Sequence, residues 1–153
     1  MSILVIQGPH SALPWSGPGT EEPLLLPTAA AHAAGKSLVV RTCAGIREMI
    51  ECLRQARQPD TEMVLLDSGD LDPADCVREG ADLCRALDEL QSPYIEVHDD
   101  SGQVLDLQVH PRNAPMVTVV VNDDRASGYS LALAIALRHL GRSANAPGTS
   151  VHL

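Results

Sequence analysis

Glu96 and His98 stand two residues apart at the end of the apolar run TyrIleGluValHis, so on an extended strand their side chains point to one side. A carboxylate beside an imidazole holds one ring tautomer and steadies the protonated ring, which makes such a pair a general acid and base near neutral pH. Other candidates follow neighbouring apolar runs: Pro9 and His10 after the first, Asp67, Ser68 and Gly69 after the third, and Asp100 just beyond His98. In that arrangement His10 is a second proton carrier and Asp67 an orienting group, while Pro9, Ser68, Gly69 and Asp100 are contacts for a substrate. The same residues admit plainer roles, with Glu96 and His98 on a solvated hairpin, His10 held by loop backbone and Asp67 capping the turn after its strand. His10, Asp67, His98 and Asp100 also offer nitrogen and oxygen donors of the kind that divalent ions take. No compact ligand spacing joins them, so no metal is expected.

The elements that must position these residues are written in the apolar pattern. Ile3 to Gln7, Leu38 to Arg41, Met63 to Leu66, Tyr94 to Val97 and Met116 to Val121 are continuous rather than alternating, as strands buried on both faces of a parallel sheet are. Ile46, Met49, Ile50, Leu53 and Ala56 recur at helical spacing, with Arg47 and Glu51 placed to meet on the outer face. Asp72, Pro73 and Asp75 read as an N-cap, a first-turn proline and a charge favoured by the helix dipole, opening a helix through Leu87. A last helix is expected from near Asp124, with Leu133, Ala136, Leu137 and Leu140 on one stripe. Pro27 confines the helix after the first strand to Thr28 to Ala34, and Gly35 ends it. Strands alternating with helices imply right-handed crossovers and a three-layer α/β sandwich. In such sheets ligands bind beyond the carboxyl ends of the strands, where the candidates fall.

Two segments interrupt the alternation. Gly8 to Pro23 holds four prolines and three glycines, a loop long enough to serve as a lid. Tyr94 to Val109 carries a turn signal at AspAspSerGly and reads as a hairpin. Residues 1–142 are expected to form one domain and 143–153 a flexible tail.

The 153 residues carry eleven Lys and Arg against twenty Asp and Glu, a formal charge of -9, which disfavours nucleic acid and anionic membrane surfaces as partners. No apolar run approaches the roughly 20 residues that span a bilayer. Nothing after Met1 reads as a secretion signal, so a soluble, cytoplasmic protein is expected. Its four cysteines form no CxxC pair and are expected to be reduced and mostly buried. Between Asp60 and Asp106 lie fourteen acidic residues and two basic ones, most of which a solvated helix face explains. Trp15, Tyr94 and Tyr129 are the only aromatic residues, so the core must be aliphatic. The run from Gly128 offers packing spacing and no phosphate-binding glycines ahead of it, so it reads as a core helix and no cofactor is expected.

IleLeuValIleGlnGlyPro at 3–9, IleGluValHis at 95–98 and GlyTyr-x-LeuAlaLeu at 128–133 follow in the order seen in type II 3-dehydroquinate dehydratases. Over most of its length the chain resembles a divergent member of that family. The resemblance implies a flavodoxin-like sheet of order 2-1-3-4-5, a small-molecule substrate and a homo-oligomer, either a trimer or a dodecamer. It also implies that His98 is the general acid and Glu96 its partner. His10 and Asp67 stand where the family has asparagines, and Asp100 where a serine binds the substrate carboxylate. No tyrosine precedes Tyr94 and no arginine precedes Arg41, so the family's lid base and lid arginine have no counterpart. Leu105 and Val109 fall where further arginines are expected. An aspartate facing a substrate carboxylate sets like charges together, at a cost of roughly several kcal/mol in a poorly solvated site. The expectation is a repurposed lyase, cyclase or isomerase in specialised metabolism, acting by acid/base catalysis on a neutral or cationic substrate. A non-catalytic structural or binding homologue and a weak 3-dehydroquinate dehydratase are the other readings.

Overall fold

Among the described residues there are five strands, β1 (Ser2–Gln7), β2 (Ser37–Thr42), β3 (Thr61–Asp67), β4 (Tyr94–His98) and β5 (Val117–Val120), and four helices, one after each strand except β4. The helices are α1 (Leu25–Ala33), α2 (Ile46–Gln55), α3 (Pro73–Asp88) and α4 (Arg125–Ser150). In this computed structural model, which describes residues 1–9, 25–100 and 111–150, the strands form one parallel sheet of order β2-β1-β3-β4-β5. This is the α/β, flavodoxin-like topology. The strand order reverses between β1 and β3, which puts the switch point at Gly8 and Ser68, where both strands end.

Strand residues alternate between two cores because successive side chains point to opposite faces. Leu4, Ile6, Val64, Leu66 and Tyr94 pack with α2 and α3, through Met49, Leu53, Leu83 and Leu87 among others. Ile3, Val5, Met63, Leu65, Ile95 and Val97 pack on the other face against Ala31 of α1 and Tyr129, Leu133 and Ala136 of α4. The inner strands β3 and β4 are therefore buried on both sides, whereas the edge strands β2 and β5 are largely exposed. Tyr94 and Tyr129 are fully buried in this aliphatic interior. A buried tyrosine needs a partner for its hydroxyl, and Tyr94 finds one in the carbonyl of Asn113 at 2.6 Å. All four cysteines are free thiols.

Helix ends follow the local chemistry. Asp72 caps α3, accepting the amide of Ala74 at 2.9 Å with Pro73 in the first turn. Asp72→Ala is expected to cost about 1 kcal/mol, read as a lower urea midpoint with unchanged slope. Gly35 adopts φ +76 after α1, while the amide of Lys36 reaches back to the carbonyl of Ala31 at 2.9 Å. Asp124 caps α4 through the amide of Ser127 at 3.0 Å and its hydroxyl at 2.6 Å, and these bonds hold its carboxyl below the usual carboxylate range.

Several expectations need correction. α1 begins at Leu25, before Pro27, because a proline in the first turn has no intrahelical bond to lose. Arg47 pairs with Glu79 of α3 at 3.0 Å, not with Glu51, because α3 lies beside α2 and offers a nearer carboxylate. β4 lends one edge to β3 and the other to β5, which leaves no edge for the partner of the hairpin expected over Tyr94 to Val109; the part of it from 101 onward lies outside the described residues. α4 continues through Ser150, so the backbone of 143–150, assigned above to a tail, is helical. No helix among the described residues is long and apolar enough to cross a membrane.

Candidate active site

The buried polar side chains Asp67, Ser68, Glu96 and His98, each 1% exposed, all lie at the carboxyl end of the sheet. Burying such groups costs free energy unless they are paired, and each of these has partners. His98 Nε2 lies 3.2 Å from Glu96 Oε1. An ionised carboxylate only accepts hydrogen bonds, so Nε2 carries the proton. In the neutral ring the other nitrogen, Nδ1, is then the acceptor, and it faces Ser68 Oγ at 3.5 Å. The expected pair is therefore formed, and its ring is held from both sides. With Nε2 against Glu96, Nδ1 is the other polar edge of the ring.

Glu96 and His98 continue the face of β4 that begins with Tyr94, so they sit on the α2/α3 side of the sheet. Ser68 extends the same face of β3 beyond Leu66. Asp67, one residue earlier, falls on the α1/α4 side. Its Oδ2 accepts the Tyr129 hydroxyl in a short hydrogen bond, and its Oδ1 accepts the amide of Gly69 at 2.9 Å. Arg125 Nε approaches the same carboxylate at 3.9 Å. The expected placement of Asp67 as an orienting group for the dyad is thus corrected. It stands on the opposite face, because consecutive residues of an extended chain cannot serve one side.

A second polar array appears around Asp67 that the sequence reading did not assign. Thr42 Oγ1 donates to Gln7 Oε1 at 3.2 Å, Gln7 Nε2 donates to Tyr129 OH at 3.2 Å, and Tyr129 donates to Asp67. All the donors run one way and end on the carboxylate, so each bond polarises the next. Burial and the neighbouring Asp67 carboxylate push the Tyr129 hydroxyl far above the ordinary tyrosine value. Tyr129 therefore acts as a neutral donor. The available signal was a lone tyrosine at the start of an apolar helix in a chain of three aromatics.

Two glycines hold the rim together. The amide of Gly8 bonds the carbonyl of Asp67 at 2.6 Å, and a Cβ at Gly8 would overlap the carbonyl of Ser68. Gly69 adopts φ +61, where a side chain is strained, and a Cβ there would overlap the carbonyl of Pro9. Pro9 contributes that carbonyl, which also accepts the amide of Asp70 at 2.5 Å. Gly8→Ala is expected to push the β1 and β3 ends apart and destabilise the chain by about 1–3 kcal/mol, seen as a lower urea midpoint. It should also disturb the ring resonances of His98, which rests on Ser68.

The remaining candidates divide. Asp100 is exposed, two residues beyond His98. His10 lies outside the described residues, as does the lid expected over Gly8 to Pro23 from position 10 onward. No three His, Cys, Asp or Glu side chains gather as a metal-binding group among the described residues. Thr118 and Val120 of β5, the register neighbours of Glu96 and His98, are exposed. The strand that flanks the dyad on the α2/α3 side is thus the partly open one.

No family model and no curated protein matches the chain in sequence. Solved structures do match. A type II dehydroquinase from Propionibacterium acnes superimposes with a TM-score of 0.64 at 21% identity, covering 90% of this chain and 96% of that one. A 3-dehydroquinate dehydratase-like protein from Bifidobacterium longum superimposes with a TM-score of 0.56 at 19% identity, covering 91% and 97%. The superpositions cover nearly the whole of each chain: this chain has the fold of the type II dehydroquinases.

Proposed function

We propose that this protein is a divergent type II dehydroquinase-like enzyme that performs acid/base chemistry on a small neutral or cationic molecule. The carrying observation is the buried Glu96–His98 pair, 3.2 Å apart, at the carboxyl end of β4 in that fold. Glu96 fixes the ring, and His98 passes a proton from its Nδ1 side to a departing hydroxyl or an enolate. The reaction class is a lyase-type dehydration, an isomerisation or a cyclisation. Carboxylates at the rim, Asp70, Asp99 and Asp100, disfavour an anionic substrate by like charge. Substrate approaches over the exposed Thr118 and Val120 of β5. His10 is a second proton carrier in this reading, and Pro9, Gly69 and Asp100 line the substrate.

The test is a screen of small β-hydroxy ketones, with 3-dehydroquinate among them, followed by enone absorbance. Uncharged or cationic members should turn over and 3-dehydroquinate weakly or not at all. Turnover that survives unchanged in both His98→Asn and Glu96→Gln overturns the assignment. A homo-oligomer, a trimer or a dodecamer, in the cytoplasm belongs to the same reading; light scattering that gives a monomer removes the oligomer from it.

One observation favours a second reading. Glu96 and His98 are almost completely buried, which suits a non-catalytic homologue whose polar pair only steadies the end of β4 against Ser68. In that case the same two substitutions lower the unfolding midpoint and change no reaction.

A further inference from the structure

Away from the dyad, Cys43 and Cys52 face each other with their sulfurs 3.5 Å apart. Cys43 follows β2 and is 1% exposed; Cys52 lies on α2, is partly exposed, and lines a cavity of about 190 Å³ together with Arg41, Gln55 and Asp60. One thiol thus meets small molecules while the other waits behind it. Two reduced cysteines placed for packing alone have no need of this inner and outer division.

We infer that Cys43 and Cys52 form a reversible disulfide, closed by a low-molecular-weight disulfide that reaches Cys52 through the cavity at the β2 edge. The Cys52 thiolate attacks one sulfur of the incoming R–S–S–R; that bond breaks, Cys52–S–S–R forms, and the first thiolate leaves and takes up the proton Cys52 released. Cys43 then gives up its proton and attacks the Cys52 sulfur. The second thiolate leaves protonated, and the protein has lost two electrons and two protons to two molecules of small thiol. Burial and the adjacent Cys52 push the Cys43 thiol up to about 12, so Cys43 is the slow resolving partner and Cys52 the one that reacts first.

Closing the bond brings the sulfurs from 3.5 Å to about 2.05 Å, so Cys43 or the middle of α2 has to move. The amide of Cys43 bonds the carbonyl of Gln7 at 2.7 Å, and the Gln7 side chain carries the array that ends on Asp67. Oxidation therefore pulls on the rim of the candidate site. The inference is independent of the proposed reaction.

The experiment exposes the folded full chain to oxidised glutathione, blocks remaining thiols with iodoacetamide, and maps tryptic peptides by mass. Arg47 lies between the two cysteines, so the linkage joins two separate peptides. The expected result is a Cys43–Cys52 link with Cys76 and Cys84 alkylated. Cys43→Ser should stop at a glutathione adduct on Cys52, and Cys52→Ser should slow reaction at Cys43 by about tenfold or more. Wild-type protein that stays alkylated at both positions, keeps the glutathione adduct, or pairs either thiol with Cys76 or Cys84 overturns the inference. The wild-type measurement decides even if a variant fails to fold.

Discussion

His98→Asn is expected to lower turnover of a substrate found in the β-hydroxy ketone screen by about two to four orders of magnitude, the usual contribution of a positioned acid or base. Asparagine keeps a polar group of smaller volume in the buried site, but its amide ends short of the Nε2 position that meets Glu96, so the proton carrier and its bond to Glu96 are both gone. Glu96→Gln should do less, about tenfold to a hundredfold, because the ring remains but loses the carboxylate that fixes its tautomer at 3.2 Å. The pair is diagnostic only together with stability, since both residues are 1% exposed. Steady-state kinetics on variants that retain the wild-type circular dichroism separates the two. A fall in kcat with unchanged KM marks a lost proton transfer, and equal turnover in all three proteins eliminates the acid/base assignment.

Tyr129→Phe should destabilise the chain by about 1.5–3 kcal/mol, the range for losing a hydrogen bond to a charged group. The substitution removes the Asp67 carboxylate's buried hydroxyl donor and strips Gln7 Nε2 of its acceptor, while the ring and its packing against the second core remain. Urea unfolding checks it: the midpoint falls and the slope is kept. A loss below about 0.5 kcal/mol would show that water or another donor satisfies Asp67 as well. Alkali gives an independent sign. The folded hydroxyl titrates far above its unfolded value of about 10, so the folded state holds a proton that the unfolded chain releases. Stability from this group is therefore complete below about pH 10 and declines as pH rises beyond it. The Tyr129→Phe protein should lack that part of the alkaline decline.

Both expectations turn on features with different histories in the sequence. The strands are local statements: five continuous apolar runs bounded by turn residues place β1 to β5 within a residue or two. Asp72 and Pro73 mark the start of α3 for the same reason, since a cap acts within one turn. Glu96 and His98 share a side because a strand repeats every two residues, and that period survives into the fold.

Where the reading from sequence fails, the deciding contact is distant. Asp67 and Ser68 are adjacent in the chain and looked like one group beside the dyad. Only the sheet, with a different pair of helices on each face, sends Ser68 to His98 and Asp67 to Tyr129. Tyr129 lies 62 residues from Asp67 and 122 from Gln7, separations that leave no periodic trace. The Cys43–Cys52 contact is closer in the chain, yet it needs the end of β2 laid against α2 before the sulfurs meet. Sequence by itself determined the alternation of strands and helices, the aliphatic core and the dyad's common face, because each follows from local periodicity and composition. Tertiary structure alone decided which polar residues are buried and with whom, because desolvated groups must take whatever partners the opposite element brings.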